Sequence, residues 1–329
     1  MKKKLKYKYT LTICIIFIFY YSSIQGQDAE FSQFFSNRLY LNPAFAGTYG
    51  NTGVNIHFRD QRIQLTSISN TINVSFNQYI EAIKGGIGLQ LLNDVQGASI
   101  SKMQFDAIYS YGIKVTDQLQ INAAIQASVF RKRISLSDVK LPEHVNPVGQ
   151  STTSYSLNLK YDPHFDFSAG ILGNYRSSYF GFAAHHLTKP GEHEWGEKNV
   201  DFKIKRKYTF HYGTLIEIYR NGLIKPKYFI SPNVVYQIQN IHRINYGLYF
   251  LYRNFTFGTW IRQALPENFD AAIILFGIEL PKYAIAYSYD FKLPKSGTLI
   301  NISTHEVTFI LNFQYKQKKK IKAIKCPKF

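Results

Sequence analysis

An all-β fold, a transmembrane antiparallel β-barrel of the outer-membrane type with about fourteen strands, is the class this sequence predicts, and three observations predict it. The stretch Glu306–Tyr315 alternates, with Val307, Phe309, Leu311, Phe313 and Tyr315 on one side and Thr308, Asn312 and Gln314 on the other, which is the period of a strand. Its apolar side is too bulky and aromatic for water, and its opposite side is too polar for a sandwich core, so a greasy outside and a wet inside suit it. Secondly, an amino-terminal export leader is followed by no apolar run approaching the ~18 residues of a helical span. Thirdly, aromatic residues make up 16% of the chain, with 25 Tyr and 26 Phe against 2 Trp. That content fits girdles and alternating strands better than a packed soluble core. Glu306–Tyr315 is then the closing strand, because an open edge in lipid leaves N–H and C=O groups without partners.

Residues 1–26 read as a signal peptide. Lys2, Lys3, Lys4, Lys6 and Lys8 precede an apolar run from Leu11 to Tyr21, which is short of the ~20 residues a spanning helix needs. Cleavage after Gly26 leaves Gln27 first, although Ile24 is a poor residue three places before that bond. Cys14 lies inside the apolar run rather than after a small residue at its end, which sets a lipoprotein aside. Loss of these lysines takes the net charge from +18 to about +13 and leaves Cys326 without a partner for a disulfide. Export, and the lack of a recognition helix or zinc spacing, exclude nucleic acid as the counterpart of that charge. Anionic lipid head groups are the natural one.

The segment Asp28–Tyr49 carries Pro43 and Gly47 and makes a poor strand and a poor helix. It is expected to be an irregular leader, within 27–53, that precedes the first strand. Strand candidates then follow at 54–62, 67–80, 85–93, 101–115, 118–131, 165–175, 178–186, 207–219, 227–238, 241–252, 255–262, 270–279, 283–290 and 305–315. The clearest has Met103, Phe105, Ala107, Tyr109, Tyr111, Ile113 and Val115 opposing Lys102, Gln104, Asp106, Ser110 and Lys114. Thr116-Asp117 turns it into its hairpin partner. Connections tend to sort by parity: the odd ones 132–164, 187–206 and 291–304 are long, although 239–240 is short, whereas the even ones 116–117, 176–177, 253–254 and 280–282 are short, with 220–226 the longest of them. Long outward loops and short periplasmic turns have this pattern, which expects both termini at the periplasmic side. The barrel thus spans 27–315. The tail 316–329, with seven lysines, reads as a periplasmic handle for an acidic partner or as a solvated segment.

Few residues suggest chemistry. Gly85-Gly86-Ile87-Gly88 lacks the following helix and the Lys-Ser/Thr of a phosphate loop, so strand glycines at a barrel bend are expected. Glu192, His193, Glu194 and Glu197 lie near His185 and His186, a set that could hold a divalent metal. In an extended loop, however, Glu192 and Glu194 point apart, and a solvated loop is the reading adopted. Of His185 and His186 only one is expected to face the lumen, because neighbours on a strand alternate. No Ser-His-Asp or Cys-His set is discernible; His305 with Glu306 is read as the opening of the last strand rather than as a catalytic pair. No enzyme and no cofactor is expected.

The start Gln27-Asp28, then Phe31-Ser32-Gln33 and Leu41-Asn42-Pro43-Ala44-Phe45-Ala46-Gly47, resembles the PorP/SprF family of outer-membrane proteins of type IX secretion and gliding. Further matches are Arg59-Asp60, His185/His186-Leu187, Tyr289-Asp290 and His305-Glu306. Arg62-Ile63 stands where the family more often carries Trp. The resemblance implies a non-enzymatic outer-membrane component in a Gram-negative cell. Its implied role is either linking a periplasmic ring to the membrane or helping to export and retain a surface protein with a C-terminal sorting domain. Its implied partners are outer-membrane lipid, secretion components at the periplasmic face and that secreted protein. A passive porin or solute channel, with a continuous polar lumen, is the alternative.

Overall fold

The computed structural model describes residues 28–48, 52–63, 67–97, 100–136, 157–191, 203–218, 228–265, 268–292 and 302–313. Residues 1–26, expected to be a signal peptide, the Glu192–Glu197 loop, Tyr315 and the basic tail lie outside them. Fourteen strands form one ring: β1 (Thr52–Ile63), β2 (Ser67–Ile80), β3 (Gly85–Gln96), β4 (Ile100–Lys114), β5 (Leu119–Leu136), β6 (His164–Tyr175), β7 (Ser178–His185), β8 (Lys207–Thr214), β9 (Tyr228–Ile238), β10 (His242–Tyr252), β11 (Phe255–Ala264), β12 (Asn268–Glu279), β13 (Tyr283–Lys292) and β14 (Ile302–Phe313). Each pairs antiparallel with its neighbours in the chain, and β14 closes on β1 from Thr52 opposite Phe313 to Ile63 opposite Ile302. Two short pieces, Leu157–Lys160 on β5 and Ile216–Glu217 on β9, extend the sheet at its margins. The fourteen ranges are those the alternation predicts, with shifted ends. Closure satisfies the backbone within hydrocarbon, where an unpaired amide or carbonyl costs several kcal/mol.

The outer face is the expected one. Phe105, Tyr111 and Ile113 of β4, Phe165 and Phe167 of β6 and Val307 and Phe313 of β14 are all exposed on it, while Asp106, Ser110 and Thr308 point inward and are buried.

The interior differs from expectation: it is filled, and part of it is apolar. The leader does not merely precede β1 but runs through the lumen, and from Phe31 to Thr48 every residue except Tyr40 is buried. It makes a helical turn at Arg38–Leu41 and a 3-10 turn at Pro43–Phe45. Phe34, Phe35, Leu39, Leu41 and Phe45 pack against Tyr179, Val235, Tyr249, Trp260, Ile273 and Leu275 of the wall. Each fully buried Phe contributes roughly 1.5–3 kcal/mol. Alternation reports only a contrast between faces, so a strand apolar on both, as Ala271–Phe276 is, conceals an apolar interior.

Glycines make room for this insert. A Cβ on Gly86 would lie 2.2 Å from the Ala46 carbonyl oxygen, and one on Gly170 would lie 2.1 Å from Asn42 Oδ1. The Gly85–Gly88 run is therefore strand, as expected, but close backbone approach rather than a bend explains Gly86.

The leader's course relates the two rims. Gly47 donates its N–H to Asn77 Oδ1 at 2.6 Å, beside the rim where β1 starts and β14 ends. Asp28 pairs with Lys102 and His186, at the opposite rim, which carries the long connections after Leu136 and His185. The described chain therefore begins at one rim and ends at the other, since it crosses the lumen once before β1.

An arginine at the outward, mid-strand position 307 should cost about 2–4 kcal/mol, and one at 313, near the rim, only about 0–1 kcal/mol. Denaturant unfolding of Val307→Arg and Phe313→Arg in lipid vesicles reads this contrast, and equal costs would contradict the strand's placement.

Candidate functional site

Alternation delivers one residue of each charged neighbour pair to the lumen. Arg59 on β1, Asp290 on β13 and Glu306 on β14 face inward, and Arg262 joins them from β11. Adjacent registers bring them together, since Arg59 lies opposite Glu306 and Ser288 is also opposite Glu306. Arg59 reaches Glu306 at 3.2 Å and Asp290 at 3.6 Å, and Arg262 reaches Asp290 at 3.2 Å. Two guanidiniums thus face two carboxylates, all buried.

The leader docks on this balanced cluster with neutral groups. The backbone N–H groups of Ser32 and Gln33 donate to the two oxygens of Glu306 at 2.7 and 3.2 Å. Gln33 Nε2 donates to Ser288 Oγ and to the Glu306 carbonyl. Ser32 Oγ donates to Asp290 at 2.6 Å and accepts from Arg59 and Arg262 at 2.8 and 3.0 Å. A hydroxyl whose proton and lone pairs are all engaged in this way acts as a hub and not as a nucleophile.

Lower in the lumen Asn42 caps the 3-10 turn, its Oδ1 accepting from Ala44 N at 2.9 Å. Its Nδ2 donates to the carbonyls of Ile171 and Phe182 and lies 3.1 Å from His211 Nε2. Phe45 stacks on the same imidazole with centroids 5.3 Å apart.

At the long-connection rim a second cluster ties down the leader's first residues. His186 bridges Asp166 at 2.6 Å and Asp28 at 2.8 Å, and Lys102 pairs with Asp28 at 3.1 Å. Burial disfavours the His186 charge, but the carboxylates of Asp28 and Asp166 overcome this and push its pKa up to about 9. Burial would likewise raise Asp28, yet the charges of His186 and Lys102 outweigh it and hold the carboxyl well below its ordinary range. Beside it Glu30 pairs with Arg243.

The resemblance residues fall into four groups. Asn42, Pro43, Ala44, Phe45 and Gly47 belong to the inserted leader, and Arg59, Asp290 and Glu306 to its seat. Their neighbours Asp60, Tyr289 and His305 face outward, where His305 Nδ1 meets Tyr287 Oη at 2.8 Å. His185 and His186 correct an expectation, because both are buried inside. His185 ends β7, and His186 has left the strand with φ 58°, so alternation no longer governs it. Asp28, Ser32 and Gln33 were marked in the sequence only by the family resemblance, and Asp166 and Arg262 were not singled out. A lone arginine at the inward position of Phe255–Ala264 was a signal for Arg262, but nothing local indicated its partners.

A model of the family described as "Type IX secretion system membrane protein PorP/SprF" matches residues 23–311. Among solved structures the chain is similar to the Ralstonia pickettii toluene transporter TbuX, with TM-score 0.50 and 10% identity, over 85% of this chain and 94% of that one. It is also similar to the CymD monoaromatic hydrocarbon channel, with TM-score 0.49 and 11% identity, over 89% and 96% of the two chains. At such identity the likeness is one of fold. No curated protein matches the chain.

Removal of the Glu306 carboxylate leaves two buried guanidiniums facing one carboxylate, so Glu306→Ala should cost about 3–5 kcal/mol. It should also expose the leader to labelling of a cysteine placed at Phe31; an unlabelled leader at unchanged stability would refute this seat. The rim cluster makes leader docking depend on pH. His186 ordinarily titrates at 6.5 and here at about 9, so its contribution is complete below the first value and fades as pH rises through the second. The contribution of Asp28, whose pKa is depressed, is present above the ordinary carboxylate range and fades in acid. Amide exchange of residues 28–31 should therefore accelerate between neutral pH and pH 10 beyond its intrinsic rise, and His186→Gln should abolish that excess.

Proposed function

The chain belongs to the type IX secretion system membrane protein family PorP/SprF, and from that premise we propose that it is a non-enzymatic outer-membrane barrel supporting export or surface retention of a partner protein with a C-terminal sorting domain. The family and the barrel fold place it among secretion and channel membrane proteins. The observation that carries the reading is the occupied lumen. A barrel whose interior is filled by its own leader, held by a buried charge network and an aromatic core, is built as a scaffold that presents two rims. Secretion components at the periplasmic face and the secreted protein are the partners this reading assigns. This reading turns the rim with Asp28 outward and the rim with Phe313, where β14 ends, toward the periplasm.

A passive channel needs a continuous polar lumen, and the insert from Phe31 to Thr48 speaks against one. Deletion of the gene, followed by comparison of surface and periplasmic levels of proteins with C-terminal sorting domains, tests the proposal. Loss of at least one such protein from the surface is expected, and an unchanged distribution removes the secretion reading. In planar bilayers the intact barrel should show no steady open-pore current; such a current would favour the channel.

A further inference from the structure

The outer face of β6–β9 is recessed. A groove of about 400 Å³ opens there toward the bilayer, lined by Ile171, Phe180, Phe182, Phe210, Tyr212 and Tyr236. Its rings are ordered: Phe182 and Phe210 have centroids 4.7 Å apart, and Phe210 stacks with Tyr236 at 6.4 Å. Alternation turns position 181 to the lumen, where His211 fills the space a Cβ would need, so only backbone lies between Phe180 and Phe182 on the outer face. Aromatic ridges around a bare stretch of backbone make a slot that a straight hydrocarbon chain fills.

What stands above the slot is charged. On β8 the outward column runs Tyr212, Phe210, Tyr208, and its next position is Arg206. Lys189, Lys203 and Lys205 are exposed on the same rim with Arg206. Arg206 donates from Nε and Nη2 to the Leu187 carbonyl at 3.1 and 3.0 Å, which holds its guanidinium at the edge of the sheet. With ~3.3 Å per residue and a strand tilt of ~40°, Tyr212 lies ~15 Å below Arg206, half of a hydrocarbon core ~30 Å thick. Slot and cations are thus separated by the depth of one leaflet. The opposite rim of the same strands offers Arg176 among the described residues, and its guanidine already donates to Gln118 and lies over Tyr175.

We propose that this face binds one lipid A, the anionic, phosphate-bearing lipid of the outer leaflet, on the side that the proposed orientation turns outward. Its acyl chain lies in the Phe180–Phe210–Tyr212 slot and its phosphate at Lys203, Lys205 and Arg206. Apolar depth selects a membrane lipid over a soluble phosphate, and the cations select an anionic head group over a zwitterionic one. The site lies on the outer wall and is independent of the secretion role.

Native mass spectrometry of the full-chain barrel tests this, after exchange into micelles doped with monophosphoryl lipid A, phosphatidylglycerol or phosphatidylcholine. One monophosphoryl lipid A should persist per barrel under collisions that strip phosphatidylcholine. Joint replacement Lys203→Gln, Lys205→Gln and Arg206→Gln should lower that retention about tenfold or more, and Arg176→Gln should leave it unchanged. Equal retention by the triple variant, retention of phosphatidylglycerol in preference, or a second barrel retained in place of lipid would overturn the proposal. A wild-type measurement guards against misfolded variants: lipid A with a diazirine at the acyl terminus should label peptides of β7 and β8. Uniform labelling around the barrel would equally overturn it.

Discussion

A polypeptide in hydrocarbon must pair every backbone N–H and C=O with itself, and this single demand shapes the rest of the molecule. It forbids an edge, so β14 must find β1 across some 250 residues of chain, and twelve register pairs from Thr52–Phe313 to Ile63–Ile302 join them. It also sets the side-chain code, since a strand with lipid on one side and a lumen on the other must alternate. The exposed Phe and Tyr residues that look misplaced for a folded protein are the consequence.

Closure creates a second demand. A fourteen-stranded ring encloses more space than its own inward side chains fill, and something must occupy the remainder, water or protein. Here it is protein. The leader supplies Phe34, Phe35 and Phe45 to an aromatic core inside the barrel and presents Ser32 and Gln33 to Glu306. Burying a balanced set of two arginines and two carboxylates does not by itself stabilise a fold, because desolvation offsets most of the attraction. What the cluster provides is register: only a segment with successive amides and a hydroxyl at one height satisfies Glu306, Asp290, Arg59 and Arg262 together. The rim cluster around His186 and the Asn42 cap at the other end hold the same segment at two further points.

The wall and the insert fit each other by small residues on both sides. Gly86 meets Ala46 and Gly47, and Gly170 lies under Asn42 and Pro43, so the resemblance motif Asn42–Gly47 and the strand glycines are two halves of one contact. This gives a physical reason for the motif that does not depend on any external partner. The outer surface carries a different specialisation at β6–β9, where an aromatic slot lies beneath a basic rim.

The amino-acid sequence alone determined the strand count, the approximate ranges and the outward side chains, because each depends on local spacing along the chain. It also marked Arg59, Asp290 and Glu306 as residues of interest and the leader as irregular. Only the tertiary structure decided that the leader lies inside the barrel, that Arg59 and Glu306 face each other across the closing pair, and that both His185 and His186 turn inward. Those facts depend on contacts between residues more than a hundred positions apart and on one left-handed backbone angle. Period-two patterning, which distinguishes two faces but not what each face touches, carries no record of either.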